Sequence, residues 1–237
     1  QHVLVHSARQ IDVNDAGWSR NNGGSGFWIN DKYGFGMIDA QAAVTVAQSW
    51  QKVSTQLNAT TGVIQANVAI PDNNPTGVTV SFTVPESSDM LLEHVELVIN
   101  ATHTWRGDLR FTLTSPRGTQ SIIENRFFDS NQNFNNWKFM TVRNWGESPV
   151  GTWPLNVVDT LAADIGTLNN FQVNLFGTAP PAPVSSNDTY FMQEDTVLNV
   201  PAPGVLLNDL YAATAAIVTP VSVGTLNFNS NGSFIYT

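Results

Sequence analysis

The chain has 237 residues, a net charge of −9 and no cysteine, which excludes disulfides, thiolate metal sites and a cysteine nucleophile. Ten Lys and Arg against nineteen Asp and Glu argue against a nucleic-acid partner, which needs clustered cations. A hydrophobic content of 42% is enough for packed cores, and no apolar run approaches the ~20 residues that cross a bilayer.

The opening QHVLVHSARQI places Leu4, Ala8 and Ile11 on one face at helical spacing and predicts a helix. An Asn- and Gly-rich loop, NDAGWSRNNGGSG, leads to an apolar hairpin around Phe27, Trp28, Ile29 and Tyr33. In YGFGMIDAQAAVTVAQSW, Asp39 is a natural N-cap for a helix from Ala40 to about Trp50. Two helices and a hairpin cannot enclose a core of their own, so segment 1–56 is expected to need something upstream to pack on.

From about 62 to 178 the pattern changes to strands. Val78, Val80, Phe82 and Val84 alternate with Thr and Ser, and the runs Val95-Leu97-Ile99, Trp153-Leu155-Val157 and Phe171-Val173-Leu175 repeat that period of two. Short strands between Pro, Gly, Asn and Asp turns predict an antiparallel β-sandwich, mainly β and jelly-roll-like. TAPPAPVSSND contains a Pro- and Ser-rich linker at 179–187. Segment 188–237 holds further short β stretches with a hairpin turn at Asn231-Gly232, too short for a whole sandwich module. The chain opens within an expected helix and ends in Phe234-Ile235-Tyr236-Thr237, an expected strand in progress. Both ends therefore read as interior to a longer sequence, and the lack of a leader carries no information.

Arg106-Gly107-Asp108 resembles a cell-adhesion tripeptide, but it stands where a loop enters a strand. Leu109, Phe111 and Leu113 alternate with polar residues, and Ser115-Pro116-Arg117-Gly118 reads as the tight turn that follows. The corner is therefore expected to be structural, Asp108 accepting backbone N–H groups and Arg106 pairing with a nearby carboxylate. His2 and His6 lie one turn apart on the first helix without the Glu of a zinc-protease motif, and His94 and His103 flank one strand as hydrogen-bonded structural histidines. Asp72, Asp108, Asp159 and Asp164 are candidate Ca²⁺ ligands in the loops, set against their reading as solvated turn residues. Asp188, Glu194, Asp195 and Asp209 form a second acidic group in the tail.

Some of these stretches are specific enough to point to a family. QHVLVHSARQID through YGFGMIDAQAAVTVAQSW resembles the end of a subtilisin-type catalytic domain of the kexin/furin kind, just after its catalytic serine. HTWRGDLRFTLTSPRGTQSIIENRFFD, NNWKFMTVRNWGESPVGTWPLNVVD and GTLNNFQVNLFGT resemble the P, or Homo B, domain that follows it in proprotein convertases. The tail is similar to the cadherin-like or Ig-like repeats of large bacterial surface proteins, departing from them in LYAATAAIV. The resemblance implies structural roles for Arg106, Gly107 and Asp108, and for Trp145, Gly146 and Glu147. Trp137 and Trp153 are then expected in the core and Trp145 at the protease interface, against a carbohydrate platform that includes Trp105.

No G-T-S-x-A string occurs, and the family order places the whole triad before residue 1, so no residue here is expected to be catalytic. The resemblance implies the C-terminal part of a secreted or cell-surface, bacterial, Ca²⁺-dependent serine endopeptidase. Such an enzyme cleaves protein or peptide substrates after basic residues through its upstream catalytic domain, which the P domain stabilises. The alternative is a non-catalytic extracellular adhesion or carbohydrate- or protein-binding module. Residues 1–56 discriminate the two, since an adhesion protein has no reason to keep the end of a protease domain.

Overall fold

The computed structural model describes residues 1–23, 26–124, 129–209 and 214–237. Parts of the Asn/Gly loop, of ENRFFD and of LYAATAAIV lie outside the described residues. The chain divides into two units, Gln1–Ala179 and Pro180–Thr237.

Helix α1 (His2–Ser7) is shorter than the apolar spacing predicts, because Ala8 is already extended at φ −65° and ψ 142°. Arg9 and Met37 exchange both backbone hydrogen bonds, at 3.0 and 2.9 Å, and an extended Arg9 cannot continue a helix. Ile11 therefore leaves the face it was expected to share with Leu4. Strand β1 (Ser19–Arg20) pairs antiparallel with β2 (Trp28–Ile29) to make the small hairpin. Helix α2 (Ala40–Gln48) begins where Asp39 caps it, the carboxylate accepting the Ala42 N–H at 2.9 Å.

Eight strands then divide between two sheets. β3 (Leu57–Ile70), β5 (Leu91–His103), β8 (Phe134–Thr141) and β10 (Gly166–Thr178) form one sheet in the order β3-β10-β5-β8. β4 (Val78–Val84), β6 (Leu109–Thr114), β7 (Gln120–Glu124) and β9 (Gly151–Asp159) form the other in the order β4-β9-β6-β7. All pairings are antiparallel. The first strand starts at Leu57, ahead of the change of pattern at 62. The two inner faces share one core, in which Phe111, Leu113, Trp153, Leu155 and Val157 face Leu97, Ile99, Phe171 and Val173. Phe82 of one sheet meets Phe171 of the other at 5.9 Å between ring centroids. Mainly β and antiparallel, with strands that cross repeatedly between sheets, this is the expected sandwich.

The alternation runs on past the apolar residues. Val95, Leu97, Ile99, Ala101 and His103 are the inward series of β5, and Trp153, Leu155, Val157 and Asp159 that of β9. The core thus ends on a buried histidine and a buried aspartate. Trp153 fills the centre, its indole N–H donating to Pro149 O at 2.7 Å. Trp137 does not: it is 43% exposed, because β8 is an edge strand and Phe134 and Phe139 occupy the inward places beside it.

The second unit has strands β11 (Leu198–Val200), β12 (Leu226–Phe228) and β13 (Phe234–Tyr236), ordered β11-β13-β12 and antiparallel. The Asn231-Gly232 hairpin joins β12 to β13, and Phe234 is buried against Tyr190.

Candidate functional site

The chain turns sharply after β8. The Trp145 N–H bonds to Val142 O, the Glu147 N–H to Asn144 O, and Gly146 sits at φ +76°, a conformation glycine alone adopts freely. This turn pairs with the start of β5 through Gly146 N to Leu92 O at 2.7 Å and Leu92 N to Glu147 O at 2.9 Å. Its purpose is visible in what it presents: a buried tryptophan and a buried carboxylate aimed at segment 1–56.

The Glu147 carboxylate is 1% exposed and accepts three hydrogen bonds. The donors are the Thr119 hydroxyl, the Asn144 amide at 3.1 Å and the backbone N–H of Asn22 at 3.1 Å. Asn21 answers from the other side. Its amide N–H₂ donates to Arg143 O at 2.8 Å and Trp145 O at 2.9 Å, and its carbonyl accepts from Gly23 and Phe27 N–H. All four bonding positions of that side chain are filled. Asn22 adds a bond from its amide to Arg117 O at 2.7 Å. Gly23 passes so close that a Cβ there would stand 2.2 Å from Trp145 O, a backbone atom that cannot step aside. The Asn21-Asn22-Gly23 tripeptide is a plug seated between two loops of the sandwich.

Aromatic rings surround the plug. Trp145, 4% exposed, meets His2 edge-on at 5.0 Å and Phe35 at 5.6 Å. His6 packs edge-on against Phe27 at 5.1 Å and Trp50 at 5.2 Å. His2 Nε2 bonds to Glu93 at 2.6 Å, and Gln56 donates to the other Glu93 oxygen at 2.8 Å. Burial opposes the Glu93 charge, but these hydrogen bonds outweigh it and hold its pKa below the usual value. Burial, helped by His2, lowers the pKa of His6. At the rim Arg143 reaches Asp31 at 2.6 Å and Ser19 at 2.7 Å.

The sequence pointed to Trp145, Gly146 and Glu147. It did not reveal Asn21, Asn22, Glu93 or Arg143, nor the ring contacts of His2 and His6. The Asn-Asn-Gly run was legible only as a loop.

The Arg106-Gly107-Asp108 corner is one short 3-10 turn leading into β6. Arg106 Nε donates to Asp129 at 2.9 Å, and its guanidinium lies over the Trp137 ring at 4.6 Å. Hydrogen bonds from Asn131, with Arg106 beside it, hold the Asp129 pKa at about 2. Asp108 is buried at 6% exposure and accepts no side-chain hydrogen bond among the described residues, contrary to its expected role as an acceptor of backbone N–H groups. Its backbone carbonyl instead takes both the N–H and the hydroxyl of Thr160. An arginine clamped in this way and a buried aspartate cannot present the tripeptide to a receptor.

The four candidate metal ligands gather at this end of the sandwich. Asp159 receives His103 Nε2 at 3.2 Å and the Leu161 N–H at 3.2 Å. Asp164 accepts the Thr104 hydroxyl, and Asp72, which is exposed, accepts the Ala163 N–H at 3.3 Å. Burial, with the charges of Asp159 and Asp164, pushes the Asp108 pKa up. Among the described residues no three His, Asp or Glu side chains stand close enough together to hold a metal ion. In the second unit Asp209 accepts the Ser186 N–H at 2.7 Å.

Known proteins resemble this chain in both sequence and fold. Residues 92–175 match the proprotein convertase P-domain family. A PC3-like endoprotease of Hydra vulgaris is 37% identical over 164 residues, 67% of this chain and 23% of the relative. Furin of Bos taurus is 35% identical over 193 residues, 78% of this chain and 24% of furin. Human proprotein convertase subtilisin/kexin type 5 is 36% identical over 192 residues, 76% of this chain and 10% of the relative. The chain thus spans about a quarter or less of these relatives. In fold it is similar to a serine protease of Aeromonas sobria, with TM-score 0.65 and 21% identity over 74% of this chain and 39% of that one.

Proposed function

From the match of residues 92–175 to the proprotein convertase P-domain family we propose that the chain is the C-terminal region of a subtilisin-type serine endopeptidase. In this reading residues 1–56 are the last stretch of the catalytic domain, 62–178 the P domain, 179–187 a linker and 188–237 part of a cadherin-like or Ig-like repeat. The enzyme is secreted and cleaves its peptide substrates after basic residues. The triad lies upstream, and this chain alone has no peptidase activity.

One observation carries the reading. Segment 1–56 is plugged into the sandwich by a buried polar network on one side and is bare on others. α2 contains no buried residue, and Leu4, Trp28, Met37, Ile38 and Val44 are exposed by 40–64%. Apolar surface left open this way calls for a further body to cover it. The P domain then acts mechanically: it grips the tail of the catalytic domain through Glu147 and Trp145 and prevents that tail from fraying. A free adhesion module has no use for such a grip.

The test joins this chain to its natural upstream sequence and assays cleavage of basic-site peptides. Activity is expected with the joined protein and none with the 237 residues alone. Deleting 62–178 from the joined protein is expected to abolish activity or its heat stability. A deletion product as active and as heat-stable as the joined protein would make the P domain a passenger and defeat the proposal.

A further inference from the structure

We propose that Asn22-Gly23 is a self-modifying site gated by the plug: seated it is inert, released it deamidates, and the product no longer seats. The proposal stands independently of the protease reading, because it concerns chemistry within this chain.

Asn-Gly occurs twice in the sequence, at Asn22-Gly23 and at Asn231-Gly232. It is the pair most disposed to close a succinimide ring, because glycine has no side chain to hinder its own nitrogen. In that reaction the Gly23 backbone nitrogen attacks the Asn22 side-chain carbonyl carbon. A bond forms from that nitrogen to Cγ, the bond from Cγ to Nδ2 breaks, and the amide leaves as ammonia with the proton that Gly23 gives up. Water then opens the ring at either carbonyl, giving aspartate or isoaspartate. In isoaspartate the main chain runs through the side-chain methylene. The reaction needs no partner but water.

The seated plug blocks each of these movements. The attacking nitrogen has its N–H donated to Asn21 Oδ1 at 3.2 Å. The leaving amide is drawn to Arg117 O at 2.7 Å, on a loop of the sandwich. The Asn22 N–H is fixed on Glu147 at 3.1 Å, and Gly23 is so confined that a Cβ there would stand 2.2 Å from Trp145 O. Ring closure requires the backbone between Asn22 and Gly23 to rotate, and a segment pinned at both residues does not. Asn22 is nonetheless exposed, so water has access and the seating alone protects it. The rate is therefore set by opening of the plug, as local opening sets the exchange of backbone amides.

The product has no way back. An aspartate at position 22 turns an oxygen toward Arg117 O in place of an N–H, and brings a second carboxylate beside the buried Glu147. Isoaspartate adds a main-chain atom just before Gly23, where there is no slack. A brief release of segment 1–56 is thus reversible, and a prolonged one becomes permanent. Asn231-Gly232 supplies an internal clock, since it is held within its own turn by the Gly232 N–H on Asn229 O at 2.9 Å and the Ser233 N–H on Asn231 Oδ1 at 3.1 Å.

The 237-residue chain itself provides the test. It is incubated at mildly alkaline pH, and conversion of Asn22 and of Asn231 is followed separately by peptide mapping with mass spectrometry. Asn22 in the native wild type is expected to convert at least about tenfold more slowly than in urea that unfolds the chain. Glu147→Gln, which weakens the seating, is expected to speed conversion of Asn22 about tenfold and to leave Asn231 unchanged. His2→Ala, which removes the contact with Glu93, is expected to act in the same selective way, and serves if the first variant misfolds. Asn22→Asp, which mimics one product, is expected to raise amide hydrogen exchange across segment 1–56 and to leave the sandwich strands as protected as before. No conversion of Asn22 in urea, conversion as fast in the native wild type as in urea, an unchanged rate in both variants, or unchanged exchange in Asn22→Asp overturns the latch.

Discussion

Glu147 shows how much one side chain can decide. Its carboxylate collects donors from three places, and one of them is the backbone of the plug. Glu147→Gln replaces one acceptor by a donor facing other donors, at an expected cost of about 1–3 kcal/mol. Gly23→Ala is expected to cost as much by overpacking, since its new methyl meets the Trp145 carbonyl. Both should lower the melting temperature of the full chain, read by circular dichroism. The tryptophans separate just as clearly. Trp153→Ala should cost about 3–5 kcal/mol, because it empties the core centre. Trp137→Ala should cost much less, its ring lying half in solvent over Arg106.

At the scale of elements the docked segment and the sandwich differ in what holds them. The sandwich has a continuous apolar core, whereas α1, α2 and the β1–β2 hairpin rely on the plug, the rings around Trp145 and the His2–Glu93 contact. Residues 1–56 alone are therefore expected to be unfolded by far-UV circular dichroism, and 57–179 to fold cooperatively. Acid should loosen the docking before it melts the sandwich. His6 has a folded-state pKa below its unfolded value, so its neutral form is favoured and stability falls as pH drops below about 6.5. Glu93 is depressed as well, and its contribution is present above about pH 4.5 and lost below it. Asp129 follows, its contribution fading from about pH 4 down through about 2. Trp145 fluorescence should thus change at milder acidity than the β-sheet signal. Coincident transitions would show that the two parts unfold as one.

For the whole molecule, the first unit is a sandwich with segment 1–56 strapped to it, the segment's remaining apolar surface uncovered. Burial, with the charges of Asp159 and Asp164 nearby, makes the ionised Asp108 work against folding at neutral pH. Its raised pKa means that the protonated form favours the native state, and that contribution is lost as pH rises through the folded value. Asp108→Asn is therefore expected to raise the melting temperature at pH 7 and to raise it less in acid, where the wild-type carboxyl is already protonated. An equal gain at both pH values, in thermal melts of the 237-residue chain, would show that Asp108 does not govern this balance.

The sequence by itself determined the sandwich, the Asp39 cap, the Ser115–Gly118 turn and the importance of Trp145-Gly146-Glu147. Each of these is local: a period of two, a side chain reaching its own helix end, a Pro-Gly turn, a motif shared with a family. Tertiary structure alone decided that α1 stops at Ser7, that Trp137 lies at an edge, and that Asn21 and Asn22 seat against loops more than ninety residues away. Those outcomes depend on which strand is outermost and which distant carbonyl meets an amide. Spacing along the chain cannot encode them, because such partners are neighbours only after the two sheets have closed.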